Sequence, residues 1–376
     1  MLSYTITDEL TKKLKIISEL CAEKAAFIDS LSEDHKNVMK KYAIISTIGG
    51  STRIENAVLT NTEIAWMDET LSKDQKPTAF NQEKEYIKNK LSRDRERSIE
   101  EVVGCRSMLA IVYVQAEELF PLTETTIKGL HNELLHYYSQ AYPYLGKYKI
   151  VSNSVVEIIT GTSIQKDVLK TADPGPITDS AMQELVSWYN KALHVYSWPI
   201  AVATEFVFRF LAIHPFQDGN GRLGRALFIL ALLQSQDKNL AKILPYISID
   251  RHIEKHREEY YLVLRRCSSG KFSQDPKSYR IEYFLNFMLK RFEDALNNDI
   301  EFYARRYSSY RELADSPQKV LLCFKEYPEK RLQLKDVMAL THIPRRTVIY
   351  SIQVLVTEGF LQKEGKGPAT KYQLTF

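Results

Sequence analysis

The chain has 376 residues, of which 44% are hydrophobic and 26% charged, and its formal net charge at neutral pH is +4. This balance is typical of a folded protein and excludes a disordered chain, and the mild charge gives no argument for a nucleic-acid partner. A chain of this length exceeds the usual size of one domain, so we expect two or three units.

The cysteines lie far apart, at positions 21, 105, 267 and 323, and no pair has the spacing of a metal site or a redox motif. We therefore expect reduced thiols. The first residues lack the basic region and the apolar stretch of a secretory signal, and the clearest apolar run, Ala226–Leu233, is shorter than the roughly 20 residues that a membrane span requires. These features predict a cytoplasmic protein without membrane contact.

Helical periodicity dominates the first 140 residues. Apolar residues recur every three to five positions from Asp8 to Ser30, and a second helix is predicted from His35 to Thr47. Gly49-Gly50 then interrupts the pattern, so we predict a break before a new segment that opens with Ser51. Further helical periodicity runs from Glu101 to Tyr138.

The segment from Tyr148 to Val168 has a different pattern. Its β-branched residues crowd around Ser152-Asn153-Ser154 and Gly161-Thr162, which predicts a short hairpin. Residues 200–213 and 222–236 are apolar nearly all round and predict two helices buried in the centre of the domain.

The short segment between these two helices, residues 214–225, reads His-Pro-Phe-Gln-Asp-Gly-Asn-Gly-Arg-Leu-Gly-Arg. Its glycines let backbone N–H groups approach oxygen atoms closely, and the start of the next helix adds the positive end of its dipole. Arg222 and Arg225 lie three residues apart, so both guanidinium groups can reach polyphosphate oxygens from one side. Asp218 is a candidate ligand for a Mg²⁺ that bridges such oxygens, and His214 is a candidate base. The segment therefore predicts a phosphate site.

Two other motifs near this segment are rejected. Gly219, Gly221 and Gly224 have the spacing of a dinucleotide-binding fingerprint, but the preceding segment is predicted as helix, whereas that fingerprint requires a strand. His252 and His256 stand four residues apart and can present two metal ligands on one helical face. Because no third ligand is apparent, a solvated helix is the favoured interpretation.

At every fixed position, residues 214–225 match the pattern His-x-Phe-x-Asp/Glu-Gly-Asn-Gly-Arg-x-x-Arg, so the chain resembles Fic-domain adenylyltransferases. The resemblance implies a mainly α fold, in which a helical Fic core carries a β-hairpin flap, and transfer of AMP from ATP to a protein hydroxyl. His214 would take the proton from that hydroxyl, and Asp218 would bind Mg²⁺. Nucleotide contacts are implied for Gly219, Asn220, Gly221, Arg222, Leu223, Gly224, Arg225 and Tyr261.

The predicted hairpin, near residues 150–169, resembles the family's flap, which holds a target segment as an added strand through main-chain hydrogen bonds. The implied partner is a target protein, or the same chain in self-modification. One position departs from the family pattern, because Lys149 follows Gly-x-Tyr where the family often has Arg. Lysine retains the charge but cannot make planar bidentate pairs.

Ser51-x-x-x-Glu55-Asn56 matches the family's inhibitory pattern Ser/Thr-x-x-x-Glu-Gly/Asn. The resemblance implies that Glu55 pairs with Arg225, takes the contact that the γ-phosphate of ATP needs and so prevents in-line attack. An ordinary capping box or surface ion pair, worth about half a kilocalorie per mole, is the alternative. In a homodimer, subunit contacts would tune how firmly Glu55 is held.

The last sixty residues predict three helices, which start near Val320, Leu334 and Arg345. This segment resembles a winged helix, with residues 365–368 as the wing. One interpretation is DNA contact through the basic residues Arg345, Arg346, Lys363, Lys366 and Lys371. The other is a protein-contact or dimerisation module.

The sequence thus predicts three domains: residues 1–100 with the inhibitory motif, residues 101–300 as the Fic core and residues 301–376 as a winged-helix-like domain. Two alternatives to AMP transfer stay open. The same site can remove AMP from a modified protein, with Glu55 positioning a water molecule. A nucleotide-sensing regulator that binds DNA without transferring AMP is the second.

Overall fold

The secondary structure is mainly helical. A computed structural model describes residues 2–72, 79–158 and 165–376 of the chain. The α-helices in these ranges are α1 (Asp8–Asp29), α2 (Glu33–Ile54), α3 (Asn61–Leu71), α4 (Phe80–Leu91), α5 (Glu96–Gln115), α6 (Glu124–Leu135), α7 (Pro176–Val195), α8 (Pro199–Ile213), α9 (Asn220–Leu233), α10 (Lys238–Ile243), α11 (Ile249–Lys255), α12 (Arg257–Ser268), α13 (Ile281–Glu312), α14 (Asp315–Lys325), α15 (Leu334–Thr341) and α16 (Arg345–Thr357). The β-strands are β1 (Ser154–Ile158), β2 (Gln165–Lys170), β3 (Leu332–Gln333), β4 (Leu361–Glu364) and β5 (Lys371–Leu374). Short 3-10 helices lie at Arg93–Arg95, Ser139–Tyr144, Leu244–Tyr246, Pro276–Ser278 and Gly367–Ala369. The predicted mainly α fold with a small β-hairpin is confirmed.

The chain divides into two compact units. The first consists of Met1–Ala57 and Glu100–Ile300, and the second of Val58–Ile99 and Glu301–Phe376. This grouping differs from a division at residue 100, because α1 packs against α10 and α2 packs against α11. The segment with the inhibitory motif therefore shares the core of the first unit, while α3 and α4 belong to the second.

The first two helices begin at hydroxyl caps. Thr7 Oγ1 accepts a hydrogen bond from the Leu10 N–H at 3.3 Å, and Ser32 Oγ accepts one from the His35 N–H at 3.3 Å. α1 buries an apolar stripe that consists of Leu10, Leu14, Ile17, Cys21, Ala25 and Ile28.

The predicted helix break at Gly49-Gly50 is wrong, because α2 passes through both glycines and ends at Ile54. A Cβ on Gly50 would lie 2.7 Å from the backbone nitrogen of Arg251 and 2.8 Å from the carbonyl oxygen of Asp250. Glycine thus permits the close approach of α11, and this packing offsets the roughly 1 kcal/mol that glycine costs in a helix. Ser51 consequently lies inside a long helix and does not start a new one.

The centre of the first unit is formed by α8 and α9, as the sequence predicts. Every residue of α8 from Ile200 to Ile213 is buried, as are most residues of α9. The helices approach closely at Gly224, where a Cβ would lie 3.1 Å from the Leu211 Cδ2. The short connection between them carries the 214–225 motif.

Strands β1 and β2 form the predicted antiparallel hairpin, with Ser154 opposite Lys170. Gly161 and Thr162, which belong to the predicted hairpin segment, lie outside the described residues. A connection that the sequence did not predict adds to the hairpin: the Lys170 N–H donates to Gly270 O at 3.0 Å, and the Phe272 N–H donates to Lys170 O at 2.7 Å. The outer edge of β2 is therefore bonded at this end.

The second unit contains the three predicted helices α14, α15 and α16 and a three-stranded sheet in the order β3-β5-β4. Helices α15 and α16 start where predicted, whereas α14 starts at Asp315, five residues before the predicted start near Val320. Its core includes Val320, Phe324, Val337, Val348 and Leu355. The winged-helix resemblance of this unit stays a prediction.

All cysteines are unpaired in the described structure, as predicted. Among the described residues, no helix combines the length and the apolar composition that crossing a membrane requires.

We expect Gly50→Ala to lower the free energy of unfolding by about 1–3 kcal/mol, because the new methyl group meets backbone atoms that must shift. Gly129→Ala in α6 is the matched control, since nothing lies within 4 Å of its added Cβ. Helix propensity should make the control more stable by up to about 1 kcal/mol. Urea unfolding followed by circular dichroism measures both, and equal stability of the two variants would contradict the packing argument.

Candidate active site

The 214–225 motif forms a tight loop between two buried helices. His214 ends α8 in the left-handed conformation, with φ of 52°, and its N–H donates to Phe210 O at 2.8 Å. Gly219 precedes α9 with φ of 80°, which glycine adopts without strain. No side chain caps the first turn of α9, so its N-terminus offers backbone donors and a positive dipole end to an anion.

Asn220 closes this loop from inside. Its Nδ2 donates to Phe216 O at 2.7 Å, and its Oδ1 accepts from the Phe216 N–H at 3.0 Å. Both residues are buried. Because both polar groups of the Asn220 amide are engaged in the loop, its predicted phosphate contact would fall to the backbone N–H.

His131 in α6 supports the same loop, and the sequence motif does not include it. Its ring stacks on Phe216 with centroids 3.9 Å apart. Its Nδ1 accepts from the Gly146 N–H at 3.0 Å, so Nε2 carries the proton and donates to Asp218 O, also at 3.0 Å. Burial lowers the pKa of His131 to about 4, so the ring is neutral near pH 7. The only sequence signal was its position on the apolar face of α6.

His214, the candidate base, is half-buried. Burial and then the positive charge of Lys149 lower its pKa to about 4, while Glu55 and Asp218 act in the opposite direction. Its Nδ1 lies 3.3 Å from Leu211 O, an arrangement in which Nδ1 donates and Nε2 is left as the acceptor. A neutral imidazole of this kind can accept a proton.

Lys149 is buried beside the loop. Its Nζ donates to Asn153 Oδ1 at 2.8 Å, to Thr171 Oγ1 at 3.0 Å and to Ile213 O at 3.0 Å. Burial lowers the pKa of Lys149 to about 8. The lysine therefore lies next to the candidate base and contacts the backbone of the residue before it.

Asp218 keeps about a third of its side chain exposed, at 34%. Its Oδ1 accepts from the Gly219 N–H at 2.6 Å and lies 3.4 Å from Arg222 Nη2. Among the described residues, no group of three or more His, Cys, Asp or Glu side chains could hold a metal ion. One partly exposed carboxylate beside the predicted phosphate site still fits Mg²⁺, which takes one or two carboxylates together with phosphate oxygens.

Arg222 is buried with weak partners. Its Nη1 lies 3.6 Å from Glu101 Oε1, and neither its Nε nor its Nη1 makes a hydrogen bond within the described structure. Leu223 and Gly224 follow it and face the core. A buried guanidinium with unsatisfied donors is costly unless an acceptor is supplied.

Arg225 lies where α2, α9 and α11 meet. Its Nε donates to Ser51 Oγ at 3.0 Å and its Nη2 to Ser51 O at 2.7 Å. Its Nη2 lies 3.0 Å from Glu55 Oε1, and its Nε lies 3.1 Å from Asp250 Oδ1. Burial alone would lower the pKa of Arg225, but the negative charge of Glu55 and further groups including Asp250 raise it above its usual value.

Glu55 follows the last turn of α2 and is 31% exposed. A Cβ placed on Gly221 would overlap Glu55 Oε1, so the carboxylate lies directly against the first turn of α9. Glu55 thus occupies the place at which the motif predicts a phosphate. The structure brings the two predicted motifs together, although they are separated by more than 150 residues.

The end of α2 is tied to α11 and α12. Arg53 forms a bidentate pair with Glu254, at 2.6 and 2.9 Å. Asn56 adopts φ of 73° and accepts from Arg257 Nη2 at 2.8 Å. The buried Tyr261 places its hydroxyl 3.4 Å from Ile54 O, so it contacts the segment that carries Glu55.

His252 and His256 do not form a joint site. His252 Nε2 lies 3.0 Å from the buried Asp299 Oδ1, which anchors the start of α11, whereas His256 follows that helix and is exposed. Asp250 is the residue of this region that the sequence analysis missed, because it lies 25 positions beyond Arg225 and no motif includes it.

Comparisons with known proteins identify the family. A sequence model described as Fic, the Fic/DOC family, matches residues 121–232. A Fido domain-containing protein from Dictyostelium discoideum is 34% identical over 99 residues, which cover 23% of this chain and 68% of that protein. A probable protein adenylyltransferase from Aquifex aeolicus is 28% identical over 156 residues, and this chain spans 46% of its length.

The crystal structure of a Fic family protein from Desulfovibrio desulfuricans G20 superposes on this chain with a TM-score of 0.55 at 21% sequence identity. The match covers 100% of this chain and 98% of that protein's chain. At this identity the likeness shows the fold alone.

We expect His131 to weaken the fold in acid. Its folded pKa of about 4 is below the unfolded value of 6.5, so the unfolded state binds more protons and stability falls as pH drops between these values. The limiting slope for one such histidine is about 1.4 kcal/mol per pH unit. His131→Asn, which keeps an acceptor for Gly146, should be less stable at pH 7 but lose less stability between pH 6.5 and 5. Urea unfolding at each pH measures this, and parallel pH curves for the two proteins would contradict it.

Proposed function

We propose that this chain, which belongs to the Fic/DOC family, is a protein adenylyltransferase. Such an enzyme moves AMP from Mg-ATP to a hydroxyl side chain of a protein. The proposal rests chiefly on buried arginine donors beside the start of α9, which has no side-chain cap. Within the described part of the chain, Arg222 Nε, Arg222 Nη1 and Arg225 Nη1 have no hydrogen-bond partner. Such donors fit the oxygens of a polyphosphate. A neutral histidine that can accept a proton lies at the other end of the same loop.

The nucleotide phosphates would lie along the first turn of α9. Gly219 would let the backbone approach the phosphates closely, although its N–H donates to Asp218 Oδ1, and the Asn220 and Gly221 N–H groups would donate to them from the first turn of α9. Arg222 would steady the α- and β-phosphates, and Arg225 would bind the γ-phosphate. Mg²⁺, held by Asp218, would neutralise charge on the phosphates. Tyr261 is a proposed wall of the nucleotide pocket, because it packs beside the end of α2.

The transfer itself requires a base and a fixed geometry. His214 Nε2 would take the proton from the target hydroxyl, whose oxygen then attacks the α-phosphorus of ATP, and pyrophosphate leaves. Hydrogen bonds from Lys149 and Asn220 to the loop hold the backbone on both sides of His214. This rigidity supports the role of His214 as the aligned base.

A target segment would add to the hairpin as a strand. The outer edge of β2 is bonded to residues 270–272 at the Lys170 end, so β1 is the edge that we propose for the target. Main-chain pairing of this kind tolerates varied side chains. The target can be another protein or a segment of the same chain.

Glu55 is the proposed brake. Its carboxylate lies against Gly221 and pairs with Arg225 at 3.0 Å, which are the positions proposed for phosphate. Because like charges repel and the volume is occupied, the γ-phosphate cannot take its place while Glu55 remains. Productive binding of ATP therefore requires displacement of Glu55.

We expect Glu55→Gly to incorporate AMP from α-labelled ATP at least about tenfold faster than the unaltered protein, since removal of a competing contact worth about 1.4 kcal/mol corresponds to that factor. Glu55→Gln keeps the size but loses the charge, and it should be intermediate. Adding His214→Ala to Glu55→Gly should abolish labelling, and removal of Mg²⁺ by EDTA should do the same. Gel autoradiography of the purified chain, with and without cell lysate, measures the outcome.

Removal of AMP is the alternative chemistry of the same site, with Glu55 positioning a water. It predicts release of AMP from a modified target without ATP by the unaltered protein but not by Glu55→Gly. If no variant labels any protein, autonomous AMP transfer is excluded.

The second unit supports a second candidate function, DNA contact. Arg345, Arg346, Lys363, Lys366 and Lys371 are all exposed, and α16 carries no acidic residue. Residues 301–376 contain thirteen Lys and Arg against eight Asp and Glu. A basic helix with an exposed face suits the phosphates of a major groove.

We expect the full chain to bind a fluorescent duplex, and Arg345→Ala/Arg346→Ala to weaken this binding about tenfold at low salt, with a shallower salt dependence. Lys319→Ala, which alters an exposed lysine on α14, is the matched control and should bind like the parent. Fluorescence anisotropy measures the affinity. Equal binding by both variants would argue for a protein-contact module.

A further inference from the structure

The backbone around His214 is held from outside the motif. The Lys149 N–H donates to Pro215 O at 2.7 Å, and Lys149 Nζ donates to Ile213 O at 3.0 Å. The Asn153 Nδ2 donates to Phe216 O at 2.8 Å. Three carbonyl groups, one before His214 and two after it, are therefore fixed by one short segment.

His214 needs this support because its backbone is left-handed, at φ 52° and ψ 59°. A non-glycine residue in this region is strained by roughly 1 kcal/mol or more and stays there only where its surroundings determine it. The conformation turns the chain sharply at the end of α8 and places the imidazole at the loop. Relaxation of the flanking carbonyls would move the imidazole.

Every N–H donor of the Lys149 ammonium group has a hydrogen-bond acceptor. It has three N–H donors, and three acceptors surround it: Asn153 Oδ1, Thr171 Oγ1 and Ile213 O. The hydroxyl of Thr171 in turn lies 2.7 Å from Asn153 O. A planar guanidinium would not satisfy the same three acceptors around one nitrogen.

The residues of this network lie at the base of the hairpin. Lys149 and Asn153 precede β1, which starts at Ser154, and Thr171 directly follows β2. The bonds to Ile213 O and Phe216 O thus join the segment before β1 to the loop that carries His214. Thr171 connects the end of β2 to the same segment through its bonds with Lys149 and Asn153.

We infer that Lys149 is a positioning residue, which holds His214 in its left-handed conformation and couples its orientation to the base of the hairpin on which a target strand binds. The coupling to the target rests on the proposed function, whereas the hold on His214 does not. Binding of a strand to the hairpin would stiffen its base and so align the imidazole for the hydroxyl that this strand presents.

The charge of Lys149 has a second effect that can be measured without catalysis. The positive charge of Lys149 lowers the pKa of His214, whereas the negative charges of Glu55 and Asp218 raise it. Neutralising Lys149 should therefore raise the pKa of His214. Substitution by Arg should leave this pKa nearly unchanged, because the positive charge is retained.

The test compares Lys149→Met, Lys149→Arg and Thr171→Val, with Lys147→Met as the control. Lys147 is exposed and lies two residues away. Each substitution is made in the 376-residue chain carrying Glu55→Gly. The pKa of His214 is measured by NMR titration of the imidazole resonances, and His214→Gln assigns its signal among the eight histidines. The initial rate of AMP labelling is measured at several ATP concentrations and pH values.

We expect Lys149→Met to raise the pKa of His214 by about half a pH unit and to lower the maximal labelling rate about tenfold or more, with the KM for ATP little changed. Lys149→Arg should keep the pKa and recover part of the rate. Thr171→Val should lower the rate without shifting the pKa, and the control should match the parent.

An unchanged pKa and an unchanged rate in Lys149→Met would overturn the inference, as would equal losses in Lys149→Met and the control. If Lys149→Met does not fold, Thr171→Val and Lys149→Arg decide the question. If Glu55→Gly itself transfers no AMP, the proposed function fails, and the NMR titration still decides whether Lys149 acts on His214.

Discussion

The buried guanidinium of Arg225 joins three helices of the first unit, and the arrangement of the candidate site depends on it. It meets Ser51 from α2 and Asp250 from α11, and it also meets Glu55 after the end of α2. An isolated charge at this depth would be strongly destabilising, so the carboxylates are required for burial. Asp250 is fully enclosed, whereas Glu55 is partly exposed. Loss of Glu55 would therefore leave Arg225 paired with Asp250 and Ser51. In the proposed function, a phosphate would then replace one carboxylate without exposing a lone cation.

Burial also determines the charge of two histidines in the first unit. His131 and His214 both have pKa values lowered to about 4, chiefly by burial. His131 uses its neutral ring to join Gly146 to Asp218, and these bonds fix the loop that carries the proposed phosphate site. His214 keeps Nε2 available at the other end of the loop. One environment thus gives a structural histidine and a candidate base, and the difference between them lies in whether both ring nitrogens are engaged.

Two glycines show how backbone proximity serves this site. Gly221 has no side chain where the Glu55 carboxylate lies, and Gly50 has none where α11 crosses α2. Gly50 brings Asp250 close enough to pair with Arg225, while Gly221 lets an anion reach the start of α9. A larger residue at position 50 would push Asp250 away from Arg225. A larger residue at position 221 would push the Glu55 carboxylate away from the start of α9. The proposed brake and the proposed phosphate site therefore both depend on the close approach of α2, α9 and α11.

The sequence by itself determined the mainly α class, the buried helices α8 and α9 and the hairpin, because apolar periodicity and β-branched runs are local signals. It also identified residues 214–225 and the inhibitory pattern, since both are contiguous. Only the tertiary structure decided that α2 continues through Gly49-Gly50, because that depends on a helix 200 residues away. The contacts of His131, Lys149 and Asp250 were likewise decided by the tertiary structure. Each of these residues contacts a segment that is distant in sequence, and a local sequence pattern does not predict such contacts.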